Sequence, residues 1–254
     1  MGVWRKVRWS IGQRGMLGTL RAGSNAAARR LRRQSSETAV HPFDAQYGVE
    51  TSGLIAGGDL AAGHPHDAFI TGYAGVAPSR FVAALDRWRA QLGSRRVEEY
   101  SFVDLGCGKG RALLMASQWP FREVLGVELN PGLARVAESN GRVWAAAGLE
   151  RCPVRVICAD ATEVDLPEGP LLVFLYNAFS EPLMKLLAAR LRERAARSTA
   201  PLELIYHYAA HGEMLETIAG MRKVWEARLP LSEEDAAADP VASPEDVTAM
   251  YSVA

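Results

Sequence analysis

Cysteine is scarce in this sequence of 254 residues, with only Cys107, Cys152 and Cys158. Three scattered thiols cannot staple a disulfide scaffold, and they lack the paired spacing of a zinc site, so no bound metal is expected. Such thiols suit a reducing cytosol, and a cytoplasmic location is the expectation. No apolar run approaches the roughly eighteen residues that a membrane-crossing helix needs, which leaves no expected transmembrane segment. The G-x-S-x-G elbow of the α/β-hydrolases and the G-x-x-x-x-G-K-[ST] loop of P-loop ATPases are both missing. Carboxylates are missing altogether from residues 1–36.

What is present begins with that imbalance. Residues 1–36 carry nine cations (Arg5, Lys6, Arg8, Arg14, Arg21, Arg29, Arg30, Arg32 and Arg33), leaving 20 cations against 29 acids, a net −9, in the remainder. A net charge of zero therefore hides a basic arm joined to an acidic body. The arm reads as a solvated, flexible tail. The same composition suits contact with RNA or an anionic membrane surface, and it is also that of organelle-targeting segments. Hydrophobic residues at 48% and charged residues at 23% describe an ordinary globular chain beyond it.

Residues 37–95 form a second region, rich in Gly, Ala, Pro and His up to residue 78, read as loops and short helices. They end in an amphipathic helix over Ser79–Leu92, where Phe81, Val82, Leu85, Trp88 and Leu92 recur at helical spacing. From residue 96 to 254, strand and helix patterns alternate. Apolar runs at 101–105, 124–129, 154–159, 171–176 and 202–208 are separated by helical stretches at 111–119, 133–147 and 181–196, with a further short helix at 213–220. That alternation means βαβ units, hence a doubly wound α/β fold on a mainly parallel sheet. Runs at 223–229 and 247–253, separated by an acidic loop, predict a final antiparallel hairpin.

In such a sheet the ligand sits beyond the carboxyl ends of the strands. The first strand ends in Asp104-Leu105-Gly106-Cys107-Gly108-Lys109-Gly110 and runs straight into a helix. A nicotinamide or flavin site asks for G-x-G-x-x-G, but position 111 is Arg111. Asp104, just ahead of the glycines, would oppose a diphosphate. A cationic ligand without phosphate fits better, and S-adenosylmethionine (SAM), with its sulfonium and ammonium, is such a ligand. Glu128, at the end of the next strand, can then accept from the ribose hydroxyls, and Asp160, after the third, can meet the adenine amino group.

Asp104 to Gly110, Glu128 and Asp160 resemble the successive SAM-binding motifs of class I SAM-dependent methyltransferases, over roughly residues 79–254. The resemblance implies a seven-stranded sheet with one antiparallel strand, preceded by an N-terminal helical and loop extension. It implies that Asp104 and the backbone of Gly106 and Gly108 surround the methionine moiety, that Leu129 flanks the adenine, and that Ala161 joins Asp160 at the adenine edge. S-adenosylhomocysteine (SAH) would be the product. After the fourth strand, Tyr176-Asn177-Ala178-Phe179 occupies the acceptor-facing position. It loosely resembles the Asn-Pro-Pro-Tyr motif of amino-group methyltransferases, in which an amide and a carbonyl orient the target nitrogen. It lacks both prolines and stands closer to the non-SET protein-lysine methyltransferases, which also resemble this chain in the segment Tyr73 to Pro78. Asn177, Tyr176 and Phe179 are the candidate acceptor residues, and an amine of a protein or small molecule is the expected acceptor. RNA methylation through the basic arm and a non-catalytic SAM-binding module are the alternatives. The segment Tyr47 to Gly53 is a candidate lid. His64, His66 and Asp67 read as a plain loop for want of further ligands at known spacing. His207 is a candidate general base, and Cys107 a packing residue.

Overall fold

The protein, seen in a computed structural model, is described for residues 40–239 and 242–253; the basic arm, residues 1–36, lies outside the described residues. A short helix α1 (Pro42–Tyr47) is followed by a two-residue hairpin of β1 (Leu54–Ile55) and β2 (Tyr73–Ala74), with single 3-10 turns between them. Helix α2 (Pro78–Arg89) leads into the main sheet. There β3 (Ser101–Leu105), α3 (Arg111–Ser117), β4 (Glu123–Glu128), α4 (Pro131–Ala146), β5 (Val154–Cys158), β6 (Leu171–Tyr176), α5 (Glu181–Arg197) and β7 (Leu202–His207) alternate as expected. The chain closes with β8 (Met221–Arg228), α6 (Glu233–Ala238) and β9 (Val247–Val253). Pro42, Pro78 and Pro131 each sit in the first turn of their helix, where the missing N–H costs nothing.

The seven strands run in the order β5-β4-β3-β6-β7-β9-β8, and β9 alone runs opposite to the other six. The strand-period alternation sorts side chains to two faces. Phe102, Val124, Leu172 and Phe174 meet Phe81, Leu85 and Trp88 of α2, Leu113 of α3 and Trp144 of α4. Val103, Leu125, Val127 and Val173 meet Leu183, Leu187 and Leu191 of α5. Burial on both faces explains why β3 and β6 read as unbroken apolar runs.

Two expectations need correcting. The stretch 213–220 forms a 3-10 helix, Gly212–Thr217, whose first residue leaves no room for a Cβ beside the Tyr251 hydroxyl. The acidic segment expected to be loop contains α6, whose start is set by Ser232 accepting from the Asp235 N–H and by three acids in its first turn.

Candidate cofactor site

The glycine loop is a backbone device. Gly106 (φ 83°) and Gly108 (φ 56°) take left-handed conformations that other residues resist. A Cβ on Gly106 would fall 2.5 Å from the Ala178 Cβ, and one on Gly108 would fall 2.3 Å from the Tyr73 ring. The loop is pinned to β4, where Gly106 N and Cys107 N both donate to the Val127 carbonyl at 2.8 and 3.0 Å.

Around it, three strand ends bring Asp104, Gly106, Gly108, Glu128, Leu129, Asp160 and Ala161 into the wall of one cleft. That is the place of a small-molecule site in an open α/β sheet. Asp104 is 4% exposed, and no donor or cation among the described residues pairs with it. Burial, and secondarily the Glu128 charge, hold its carboxyl well above the ordinary range. Burial also raises Glu128, against hydrogen bonds from Asn130 N and Gly108 N, both at 2.8 Å, that favour its charge. The site therefore concentrates acid around space with no cation of its own beside Asp104, which fits a positively charged ligand and disfavours a diphosphate. Asp160 differs. Burial works against its charge, but bonds from Thr162 N (2.8 Å), Thr162 Oγ1 (2.7 Å) and His66 outweigh this and hold the group below its ordinary value.

The opposite wall comes from the segment ahead of the sheet. Leu60, His66 and residues 70–76 line the cleft, whereas residues 47–53 do not. The lid is thus the later stretch, and the Tyr47–Gly53 segment is its anchor. The Asp44 carboxylate accepts from Thr51 N and Ser52 N, both at 2.6 Å, and lies 3.7 Å from the Arg111 guanidinium. Arg111 also donates to Thr51 Oγ1 (2.6 Å), and its guanidinium fills the space that a Cβ on Gly75 would need. Asn140 of α4 holds Glu50 through both its backbone groups. The Tyr73 hydroxyl donates to the Thr51 carbonyl at 2.6 Å, which brings its ring over Gly108. Burial raises the Tyr73 phenol far beyond any working pH, so it stays neutral.

Among the candidate acceptor residues, Tyr176 and Phe179 line the cleft, as does Ala178; Asn177 does not. Asn177 (φ 42°) supplies the turn, and its carbonyl accepts from Thr71 Oγ1 at 2.6 Å. The Ala178 carbonyl accepts from Thr71 N at 3.2 Å. Lid and acceptor motif are therefore knitted together, with one lone pair left on each carbonyl. His207 is buried away from the cleft lining, its Nδ1 2.8 Å from Thr248 Oγ1, and burial with the Arg80 charge lowers its pKa to about 4. Burial raises the Cys107 thiol well above its ordinary value, so it is a packing group under the loop. Sequence reasoning missed Thr71, the Asp44–Arg111 pair and the approach of His66 to Asp160. Arg111 registered there only as a departure from a glycine pattern.

Residues 102–201 match the family model described as a methyltransferase domain. A comparison with curated proteins gives no match. Similar solved structures include an RNA methyltransferase from Salinibacter ruber in complex with SAH, at 20% identity over 66% of this chain and 89% of that one, TM-score 0.43. Another is magnesium protoporphyrin IX methyltransferase from Synechocystis PCC 6803 with bound SAM, at 13% identity over 69% of this chain and 78% of that one, TM-score 0.46. A third is the StiE O-MT, at 14% identity over 68% and 74%, TM-score 0.46. Residues 102–201 form a methyltransferase domain, and the protein is a SAM-dependent methyltransferase. Its cofactor is SAM. Among the described residues no helix is long and apolar enough to cross a membrane.

Proposed function

We propose that the protein methylates an amine nitrogen of a protein or small molecule, with Asp104, Glu128 and Asp160 holding the methionine, ribose and adenine parts of SAM. SAM supplies an activated methyl group on its sulfonium. The residues then need to align the acceptor, exclude water and tolerate a positive charge on the product. One observation carries the choice of acceptor: Tyr73, Phe174, Tyr176 and Phe179 put four aromatic rings into the cleft wall beside the glycine loop. Aromatic faces favour a cation, and a methylated amine keeps one. Burial keeps the Tyr176 hydroxyl neutral, so it serves as a hydrogen-bonding group rather than a phenolate. His207, withdrawn from the cleft lining, is not placed to take the proton of a hydroxyl acceptor, whereas an amine that arrives neutral need lose none at the moment of transfer.

Labelled methyl transfer from SAM to lysine peptides, small amines, hydroxylated small molecules and RNA tests this. Label on nitrogen of peptides or amines is expected, and label confined to oxygen or RNA would contradict it. The second reading, RNA as acceptor, rests on the nine cations of residues 1–36. Removing them should then weaken RNA binding and flatten its salt dependence.

A further inference from the structure

The Asp160 carboxylate is held from two sides. Oδ1 is saturated by its own turn, through Thr162 N and Thr162 Oγ1. Oδ2 points away from that turn and lies 2.5 Å from Nδ1 of His66, a lid residue 94 positions earlier in the chain. His64 Nε2 lies 3.9 Å from the same oxygen. The loop that presents the two rings is prebuilt. Asp67 Oδ2 accepts from Ala62 N, Gly63 N and His64 N at 2.7–2.9 Å, and His66 N donates to His64 Nδ1 at 3.2 Å.

That last bond fixes the His64 tautomer. With Nδ1 accepting, a neutral ring carries its proton on Nε2, the atom that faces Asp160. His66 is thus placed to donate to the carboxylate oxygen, while the His64 Nε2 faces the same oxygen from 3.9 Å, beyond hydrogen-bond reach. These three side chains also gather their ligand atoms within 4.8 Å, as a metal site would. Ligation through His64 Nε2, however, needs the lone pair that this tautomer lacks, and metal-binding histidines ordinarily donate from their other nitrogen rather than accept there.

We propose that His66 is a cofactor-positioning residue: from the lid, it aims Oδ2 of Asp160 at the amino group of adenine, and so sets the preference for a 6-amino purine. The inference rests on the reading of Asp160 as the adenine contact. His66 lines the cleft together with Asp160, Ala161 and Leu129, so its bond closes the wall at that end. A carboxylate oxygen has a second lone pair, so Oδ2 can accept from His66 and from an amino group together. Without the lid donor the carboxylate is fixed through Oδ1 alone and is free to tilt.

The experiment compares SAH with S-inosylhomocysteine, whose 6-oxo group offers a carbonyl where SAH has an amine. Calorimetric titrations use wild-type protein, His66→Phe and His66→Asn. Phenylalanine keeps the ring and loses the donor, while the asparagine amide nitrogen falls where Nδ1 does. Wild type should prefer SAH. His66→Phe should weaken SAH about tenfold, the scale of a lost bond to a charged group, and leave the inosyl analogue nearly unchanged. His66→Asn should restore the preference. Undiminished discrimination by His66→Phe, or equal loss in both variants, would overturn the proposal while leaving the adenine assignment intact. A wild type that binds both ligands equally, or neither, would overturn that assignment and the inference with it. Stoichiometric Zn²⁺ binding by wild type that His66→Phe abolishes would also overturn it, in favour of a metal centre on the same side chains.

Discussion

The two walls of the cleft are built by different means. The sheet wall takes each functional side chain from the residue at or just after a strand: Asp104 on β3, Glu128 on β4, Asp160 after β5. Position in the strand places their backbones, and bonds from nearby groups then orient Glu128 and Asp160. The lid wall, residues 54–76 with its anchor at 41–53, has two strands of two residues each and single 3-10 turns. Its order comes from side chains reaching across the chain: Asp44 to Thr51, Arg111 to Thr51, Asn140 to Glu50, Thr71 to Asn177. A wall made by periodic backbone tolerates loss of a ligand-facing side chain, whereas a wall made by a few buried polar groups fails when one is removed.

The largest effect expected from this contrast is on stability at the lid anchor. Asp44→Ala leaves the buried Arg111 charge and two backbone donors unpaired and should cost about 3–5 kcal/mol, read as a lowered Tm or denaturant midpoint. Glu128→Ala should weigh mainly on the ligand: SAM affinity falls by about 2–4 kcal/mol, while the Tm of the free protein falls less than in Asp44→Ala, because the Gly108 and Asn130 N–H groups lose a partner but no buried cation does. If Asp44→Ala left the Tm unchanged, or if Glu128→Ala unfolded the domain, the contrast would dissolve. Asp104→Asn sharpens it further. The folded pKa of Asp104 lies above its unfolded value, so at neutral pH the ionised group works against folding. The amide should raise the Tm of the free protein and still weaken SAM binding.

His207 adds a pH dependence that belongs to the sheet. Its folded pKa of about 4 lies below the ordinary 6.5, so the unfolded chain binds more protons between those values. Its contribution is complete above pH 6.5 and is lost as pH falls toward 4, by about 3 kcal/mol. Denaturant midpoints across that range should flatten in His207→Phe. The smallest expected effect is at the glycine loop. Gly106→Ala places a Cβ 2.5 Å from the Ala178 Cβ, and Gly108→Ala places one 2.3 Å from the Tyr73 ring, which its bond to Thr51 holds in place. Both need a positive φ, at about 1–2 kcal/mol, and both should lower Tm.

The same contrast explains what was legible. The strands at 101–105, 171–176 and 247–253 coincide with their apolar runs, and the helix starts at Pro78 and Glu181 lie within a residue of those expected. Side chains buried on both sheet faces leave an unbroken signature. The three carboxylates were legible because strand ends locate them. The lid anchor was not, since nothing local to Asp44 or Arg111 announces a partner 67 residues away. His64 and His66 looked like a loop because the residue that completes their cluster, Asp160, is contributed by the far side of the sheet.

The central claim, that acids at consecutive strand ends hold a cationic cofactor, is tested most directly by calorimetric titration of SAM at neutral pH in two buffers of different ionisation enthalpy. Burial raises the Asp104 carboxyl above its ordinary range in the free protein, and a bound cation favours the ionised form. The account predicts one-to-one binding with net proton release and affinity that rises with pH, the release lost in Asp104→Asn. SAM binding that proceeds with no proton release and equal affinity in wild type, Asp104→Asn and Glu128→Ala would contradict it.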